Sequence, residues 1–348
     1  MKAFSFLYTL CVSLFVGWLL AGCAGNSGEA TPQGACRIQE YRATDKTQYS
    51  NTSLQTTYAY DPSGNLTKSV ASIDVRPTSG TFGTQLTTTM VTYTYDAAGY
   101  LTASKSEQQN TITLQNNTIK TEQYTNSYSY SYTSGRLTQK AENYSGTSVS
   151  PSGSISTYEY DSNGNVASIT STGLSDKTYS TVWSYRNNQL VDYVEKKGTS
   201  EKRPFTIQDG LITKMVFPGT ENELVVTAAF DNQKRAIRID NYVNKQLTEY
   251  DVQTWTDAKP ASASLPPFKG FPVPTPSSFD VQTGVLATKQ HFYWNSVSKT
   301  MQLFSESTTT AQTNTQGYIT SAVINFTYPN NSGQSSVKTE TYTYTGCQ

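Results

Sequence analysis

Tyr58-Ala-Tyr-Asp-Pro-Ser-Gly-Asn-Leu66 returns as Tyr93-Thr-Tyr-Asp-Ala-Ala-Gly-Tyr-Leu101 and again as Tyr158-Glu-Tyr-Asp-Ser-Asn-Gly-Asn-Val166. Tyr130-Ser-Tyr-Thr-Ser-Gly-Arg-Leu137 is a further copy, one residue short and without the Asp. Self-similarity of this kind marks an array of one supersecondary unit, and it restricts the fold more than any other feature. Tyrosines two apart share one face of an extended strand. Asp61, Asp96 and Asp161 open a turn by bonding its backbone. Gly64, Gly99, Gly135 and Gly164 adopt the conformation that closes it. Leu or Val then restarts a strand, so each unit reads as a β-hairpin with a short polar tip.

Weaker copies extend the pattern. Trp183-Ser-Tyr-Arg-Asn-Asn-Gln-Leu190 keeps the aromatic pair, and Phe205-Thr-Ile-Gln-Asp-Gly-Leu211 is a shortened version. Phe230-Asp231-Asn232 and Thr315-Gln316-Gly317-Tyr318-Ile319 are decayed ones. The copies are unevenly spaced, which argues against a solenoid of identical rungs. The predicted fold is all-β: a large twisted antiparallel sheet, a meander of hairpins whose far loops vary in length.

With these residues in hand, the stretch of roughly 50–240 resembles the YD repeats of the RHS family. The resemblance implies hairpins coiled into a long sheet that can close around a cargo, and repeats of this type have been linked to carbohydrate binding. This chain is far shorter and has few clean copies, so the hairpin sheet is the part of the resemblance that carries over.

The N-terminus carries a second signal. Lys2 is followed by an apolar stretch from Phe4 to Leu20 and then by Leu20-Ala21-Gly22-Cys23. A short apolar core ending in small residues reads as a secretory signal rather than a membrane span. Around Cys23 the segment resembles a bacterial lipobox. That implies a diacylglyceryl group on the Cys23 thiol, cleavage before it and acylation of the new N-terminus, and several acyl chains give stable anchoring. The alternatives are a plain secretory peptide with an incidental Cys, or a retained anchor helix. The expected organisation is a signal peptide at 1–22, a flexible polar tether at 23–35 and a hairpin domain at 36–348. Ala24 follows the Cys where an Asp would signal retention. By resemblance to lipoprotein sorting this favours the outer membrane, with either side of it open.

Four cysteines are present. Cys11 leaves with the signal and Cys23 would be lipidated, which leaves Cys36 and Cys347 at opposite ends of the mature domain. Export exposes them to an oxidising compartment, and a Cys36–Cys347 disulfide joining the first and last strands is the economical reading. Two unpaired thiols are the alternative.

Hydrophobic residues make up only 36%, yet there are 25 Tyr. A disordered chain would be poor in aromatics. A sheet with one wet face and one tyrosine face needs few aliphatics. In Tyr124-Thr-Asn-Ser-Tyr-Ser-Tyr-Ser-Tyr132, Tyr128, Tyr130 and Tyr132 share a face and Ser127, Ser129 and Ser131 occupy the other. These three tyrosines are the candidate binding residues. The composition breaks once, at 258–278, where Pro260, Pro266, Pro267, Pro272, Pro274 and Pro276 fall. Proline cannot feed a central ladder, so this is a loop crossing the sheet or a linker. The cysteine argument favours one domain, with 279–348 returning to the same sheet.

Charge names no partner. Lys plus Arg and Asp plus Glu are 26 each, and losing Lys2 leaves a net charge of about −1. No basic face of the kind nucleic acid needs is present. The cluster from Glu195 to Arg203 reads as a solvated hairpin tip. His291 is the single histidine, so any Ser–His–acid triad would depend on it, and it lies in an aromatic strand. Metal-ligand spacings are missing, and no cofactor is expected. The turn aspartates are explained by their turns.

Three functions stay open. The first is a non-catalytic binding or scaffold lipoprotein at the outer membrane, presenting its tyrosine-rich sheet to a glycan or another envelope protein. The second is a carrier of lipid or hydrophobic cargo, and the third is an envelope glycosidase using a carboxylate pair. Exposed aromatic rows would favour the first, a deep aliphatic pocket the second and two facing acids the third.

Overall fold

In a computed structural model, residues 36–347 are described except at 48, 79–82, 115, 148, 175–178, 188, 219–222, 273–283 and 330–334. The signal peptide, Cys23, the tether and the last part of the Pro-rich stretch lie outside the described residues.

The chain forms one antiparallel sheet of 21 strands. They are β1 (Arg37–Lys46), β2 (Ser50–Tyr60), β3 (Leu66–Pro77), β4 (Thr84–Tyr95), β5 (Leu101–Thr113), β6 (Ile119–Thr133) and β7 (Arg136–Gly146). Next come β8 (Val149–Tyr160), β9 (Val166–Gly173), β10 (Tyr179–Arg186), β11 (Gln189–Lys197), β12 (Ser200–Lys202), β13 (Phe205–Gln208) and β14 (Leu211–Pro218). The last are β15 (Glu223–Phe230), β16 (Ala236–Val243), β17 (Gln246–Trp255), β18 (Leu286–Asn295), β19 (Thr300–Thr313), β20 (Ile319–Thr327) and β21 (Ser335–Thr345).

Each strand pairs with its sequence neighbour except β12 with β13, and β21 pairs back onto β1, with Tyr41 opposite Tyr342 and Ala43 opposite Glu340. The ladder's two ends are then β12 and β13, which are adjacent in sequence and separated by Arg203-Pro204. Proline has no N–H to donate, and the ladder is interrupted there. The edges nonetheless lie side by side. Arg203 reaches Asp192 at 3.4 Å, the Tyr193 and Phe205 rings stack at 4.5 Å, and Val216 N–H donates to the Pro204 carbonyl at 2.7 Å. The open-ended sheet is thus curled round until its edges meet, with an inner and an outer wall.

The repeat explains the curl. Asp96 Oδ1 accepts from the N–H groups of Ala98 and Tyr100, both at 2.9 Å. Asp61 and Asp161 hold Asn65 and Asn165 in the same way. Asp231 and Asn314 make the same turn in the decayed copies. A bulge follows each tip: Tyr60 faces Leu66 while Ala59 faces Lys68, and Tyr95 faces Leu101 while Thr94 faces Ala103. At Thr67, Thr102 and Thr138 the extra residue is a threonine whose hydroxyl donates back to the partner strand, to Ala59, Thr94 and Ser131, whereas Ala167 and Ile237 take this place after the Asp161 and Asp231 turns. Bulges increase local twist and bend the strand. Repetition of one at successive hairpins accounts for a sheet this wide rolling up.

The residue that restarts each hairpin is the core. Ile38, Leu66, Leu101, Leu137, Leu190, Ile212, Ala236 and Ile319 are all nearly sealed from solvent and form a belt just inside the turn rim. Burying such a side chain contributes roughly 1.5–3 kcal/mol. In several units the second aromatic ties one hairpin to the next. The hydroxyls of Tyr60, Tyr95, Tyr132, Tyr160 and Tyr344 donate to the carbonyls of Ile38, Leu66, Leu101, Leu137 and Ile319. Trp255 Nε1 does the same to Ala236.

Cys36 and Cys347 are disulfide-bonded with Cα atoms 4.3 Å apart, at this same rim, beside the Asn314 turn. The described part of the Pro-rich stretch, to residue 272, packs along the inside of this rim. Strands β18 to β21 rejoin the same sheet.

Candidate binding face on the inner wall

Tyr128, Tyr130 and Tyr132 alternate with Ser127, Ser129 and Ser131, and register places the tyrosines on the inner wall, with Tyr130 opposite Lys140 and Tyr132 opposite Leu137. The two ends of this row have different surroundings. Tyr132 bonds Leu101 as described, and Tyr130 packs on Phe271 of the Pro-rich segment with ring centres 5.1 Å apart. Burial pushes the Tyr130 hydroxyl up to about 12. Tyr128 sits deeper in a polar cluster. Its hydroxyl donates to Glu142 Oε1 at 3.1 Å and accepts from Asn126 Nδ2 at 2.6 Å. Asn126 Nδ2 also reaches Glu142 at 3.0 Å, and the Lys140 ammonium lies 4.6 Å from the Tyr128 ring centre. Burial lowers the Lys140 ammonium from its ordinary value and, aided by Glu142, raises the Tyr128 phenol.

Further from the turn rim the same wall carries Tyr124 and Tyr144, nearly parallel at 11° with ring centres 6.3 Å apart. Both keep part of their surface exposed. Tyr124 donates to Glu122 Oε2 at 2.9 Å. The hydrogen bond from Lys120 holds the Glu122 carboxyl below its usual range, so it is ionised near neutrality. Asn126 Oδ1 is buried with no hydrogen-bond partner. The result is a stacked aromatic pair with a carboxylate beside Tyr124 and a carboxamide opposite Tyr144. Sequence reasoning stopped at the three spaced tyrosines. Strand alternation carried on backwards through Asn126, Tyr124, Glu122 and Lys120 identifies the rest of the row.

A second polar group faces inward on β17 and β18. His291 Nδ1 and Asp251 Oδ1 are 2.8 Å apart, and Lys289 pairs with Asp251 at 3.0 Å. Phe304 meets the His291 ring edge-on. A third group lies on β1 and β21, where Tyr41 and Tyr342 both donate to Glu340 and Lys338 pairs with it at 2.7 Å. Among the described residues no cluster of His, Cys, Asp and Glu has the arrangement of a metal site.

The turn residues are gathered on one rim, away from the Tyr124–Tyr144 pair. Gly64, Gly99, Gly135 and Gly164 have φ of 88°, 84°, 76° and 84°. Asp61, Asp96 and Asp161 are engaged by turn backbone as described, and the Gly135 turn has no aspartate. Cys36 and Cys347 sit at that rim, and Cys23 lies outside the described residues.

No protein-family model and no curated protein sequence matches the chain. Among solved structures, a porin-like protein from Bacteroides uniformis aligns at 12% identity and a TM-score of 0.34, covering 88% of this chain and 96% of that one. A DUF4623 family protein from Bacteroides eggerthii aligns at 8% identity and a TM-score of 0.16, covering 89% of this chain and 100% of that one. Superpositions this loose carry no argument about function.

Proposed function

We propose that this chain is a non-catalytic binding lipoprotein of the outer membrane, anchored through acylated Cys23, with the inner wall of its curled sheet as the binding face. The observation that carries the reading is the Tyr124–Tyr144 pair: two nearly parallel rings, partly exposed, with Glu122 beside Tyr124 and Asn126 opposite Tyr144. Aromatic faces stack against the C–H faces of sugar rings, while carboxylate and carboxamide groups bond the hydroxyls around them. A glycan is the ligand this chemistry suits.

Two measurements test it. A glycan array on a soluble form starting at Gly34, followed by calorimetry, should give a saccharide whose affinity falls about tenfold in Tyr124→Ala or Tyr144→Ala, as expected for the loss of one ring contact. A ligand bound equally well by both variants would remove the inner-wall site. For the anchor, labelled palmitate should enter the full chain but not Cys23→Ala, and equal incorporation would refute lipidation.

A further inference from the structure

We propose that the inner-wall site is a trough for an extended oligosaccharide, with the Tyr124–Tyr144 pair at one end and a second aromatic station, at Tyr179 and Glu195, at the other. This rests on the glycan reading above and adds the shape of the ligand: a chain of several sugars laid across the strands.

Register puts the second station on the same face as the first. Tyr130 is opposite Lys140, Lys140 opposite Ser156 and Ser156 opposite Ser171. Ser171 is opposite Thr181, and Thr181 opposite Glu195. One row of the inner wall therefore runs without a break from β6 to β11. Tyr179 is two residues from Thr181 and shares its face. It is 39% exposed and is paired with Lys197. Its hydroxyl is hydrogen-bonded to that of Tyr193, which donates to Glu195 Oε1 at 3.2 Å. The first station is put together in the same way. Tyr124 donates to Glu122, two residues away on its own strand, as Tyr193 donates to Glu195. Each station offers an aromatic surface next to a carboxylate. The first can stack on the C–H face of a sugar and the second can accept from its hydroxyls.

Between the stations the wall is low. Tyr144 is opposite Ser152 and Glu142 opposite Ser154 on β8, and Ser154 is opposite Gly173 on β9. Ser156 and Ser171 bond each other at 2.7 Å. These short side chains make a floor between taller aromatic groups, and a serine hydroxyl both donates and accepts. Ser152 is exposed, so the floor is accessible beside Tyr144. Toward the turn rim the next row is Tyr158, Ile169, Trp183 and Tyr193, which is the bank of the trough on that side. The backbone makes room for the first station. A methyl group on Gly146 would lie 2.5 Å from Tyr124 Cδ1, so the ring rests over this glycine. From Tyr144 on β7 to Tyr179 on β10 is three strand steps, roughly 14 Å at the usual strand spacing. A single sugar ring cannot touch both stations, and a chain can.

The experiment titrates length ladders of glucose, mannose and N-acetylglucosamine oligomers, from monosaccharide to octasaccharide, into the purified full chain by calorimetry. Affinity should climb with length and level off once both stations are reached. Tyr144→Ala should weaken every member that binds, about tenfold. Tyr179→Ala should weaken the long members about tenfold and shorter ones progressively less. Ser154→Trp fills the floor and should act in the same length-dependent way. If Tyr179→Ala is not folded by circular dichroism, Ser154→Trp decides. Affinity independent of length would overturn the trough. So would a native length profile in Tyr179→Ala and Ser154→Trp while Tyr144→Ala weakens binding, and that result leaves the glycan reading standing. Binding to no member of any ladder would also overturn the trough, and the glycan array then decides the glycan reading by itself.

Discussion

The Tyr95 hydroxyl donates to the Leu66 carbonyl at 2.8 Å, linking the tip of one hairpin to the strand that restarts the one before it. The joint recurs from Tyr132 to Leu101 and from Tyr160 to Leu137, so it is a rule of the array. Tyr95→Phe removes the bond and keeps the ring, and should lower stability by about 1 kcal/mol. Leu101→Ala leaves a cavity in the belt and should cost about 2–5 kcal/mol. Denaturant melts of both variants check the order. A Tyr95→Phe cost equal to that of Leu101→Ala would mean that the hydroxyl, not the belt, holds the hairpins together.

The turn glycines separate backbone strain from crowding. At Gly99 φ is 84° and a methyl group would meet open space. Gly99→Val should therefore cost about 1–3 kcal/mol from backbone strain alone. Gly64 has φ of 88°, and a methyl there would run into the Arg37 guanidinium, which lies over the Tyr60 ring. Gly64→Val should cost more than Gly99→Val, and adding Arg37→Ala should narrow the gap. Asp96→Ala removes two bonds to turn N–H groups that water can partly replace, and should cost around 1 kcal/mol. Thermal melts of the series test this ranking, and native stability for Gly99→Val would contradict the turn geometry.

Much of this rim is legible in the sequence, because it is local. Tyr-x-Tyr sets the face, Asp and Gly set the turn, and the next Leu is the first residue able to bury itself. The bulge threonines were in view at Thr67, Thr102 and Thr138, but a bulge is defined by its partner strand, which one strand's sequence does not contain. The same limit hides the packing of the Pro-rich segment. Pro260 to Pro272 announce that no central strand is present, but not that Phe268 and Phe271 lie against Tyr93 and Tyr130, more than a hundred residues away. The Tyr124–Tyr144 pair needed register too, since its members lie on different strands of one hairpin.

The disulfide closes a loop with a sequence separation of 311. In the chain-entropy model a cross-link this long contributes up to roughly 5–6 kcal/mol, through the unfolded state. Reduction, or Cys36→Ser with Cys347→Ser, should therefore lower the denaturation midpoint clearly while far-UV circular dichroism stays native, because β1 and β21 remain hydrogen-bonded. Unchanged midpoints with and without reductant would show that the bond adds nothing to the β1–β21 pairing.

Acid stability should report on Glu340. Burial opposes its charge, but Lys338 and the hydroxyls of Tyr342 and Tyr41 more than offset this and hold its carboxyl below the ordinary 4.5. A carboxylate with a depressed folded-state value contributes stability above its unfolded value and loses it as pH falls through the folded one. Asp45, opposite Lys338 on β1, acts the other way. Burial raises its value despite Lys338, so it favours the fold when protonated and partly counteracts the loss. The unfolding free energy should fall on acidification from pH 6 to below pH 4. Glu340→Gln should be less stable at pH 7, with a shallower decline over that interval, while Asp45→Asn should decline more steeply than the native chain. Denaturant midpoints at each pH decide it. Parallel profiles for the native chain and Glu340→Gln would place the acid-sensitive carboxylate elsewhere.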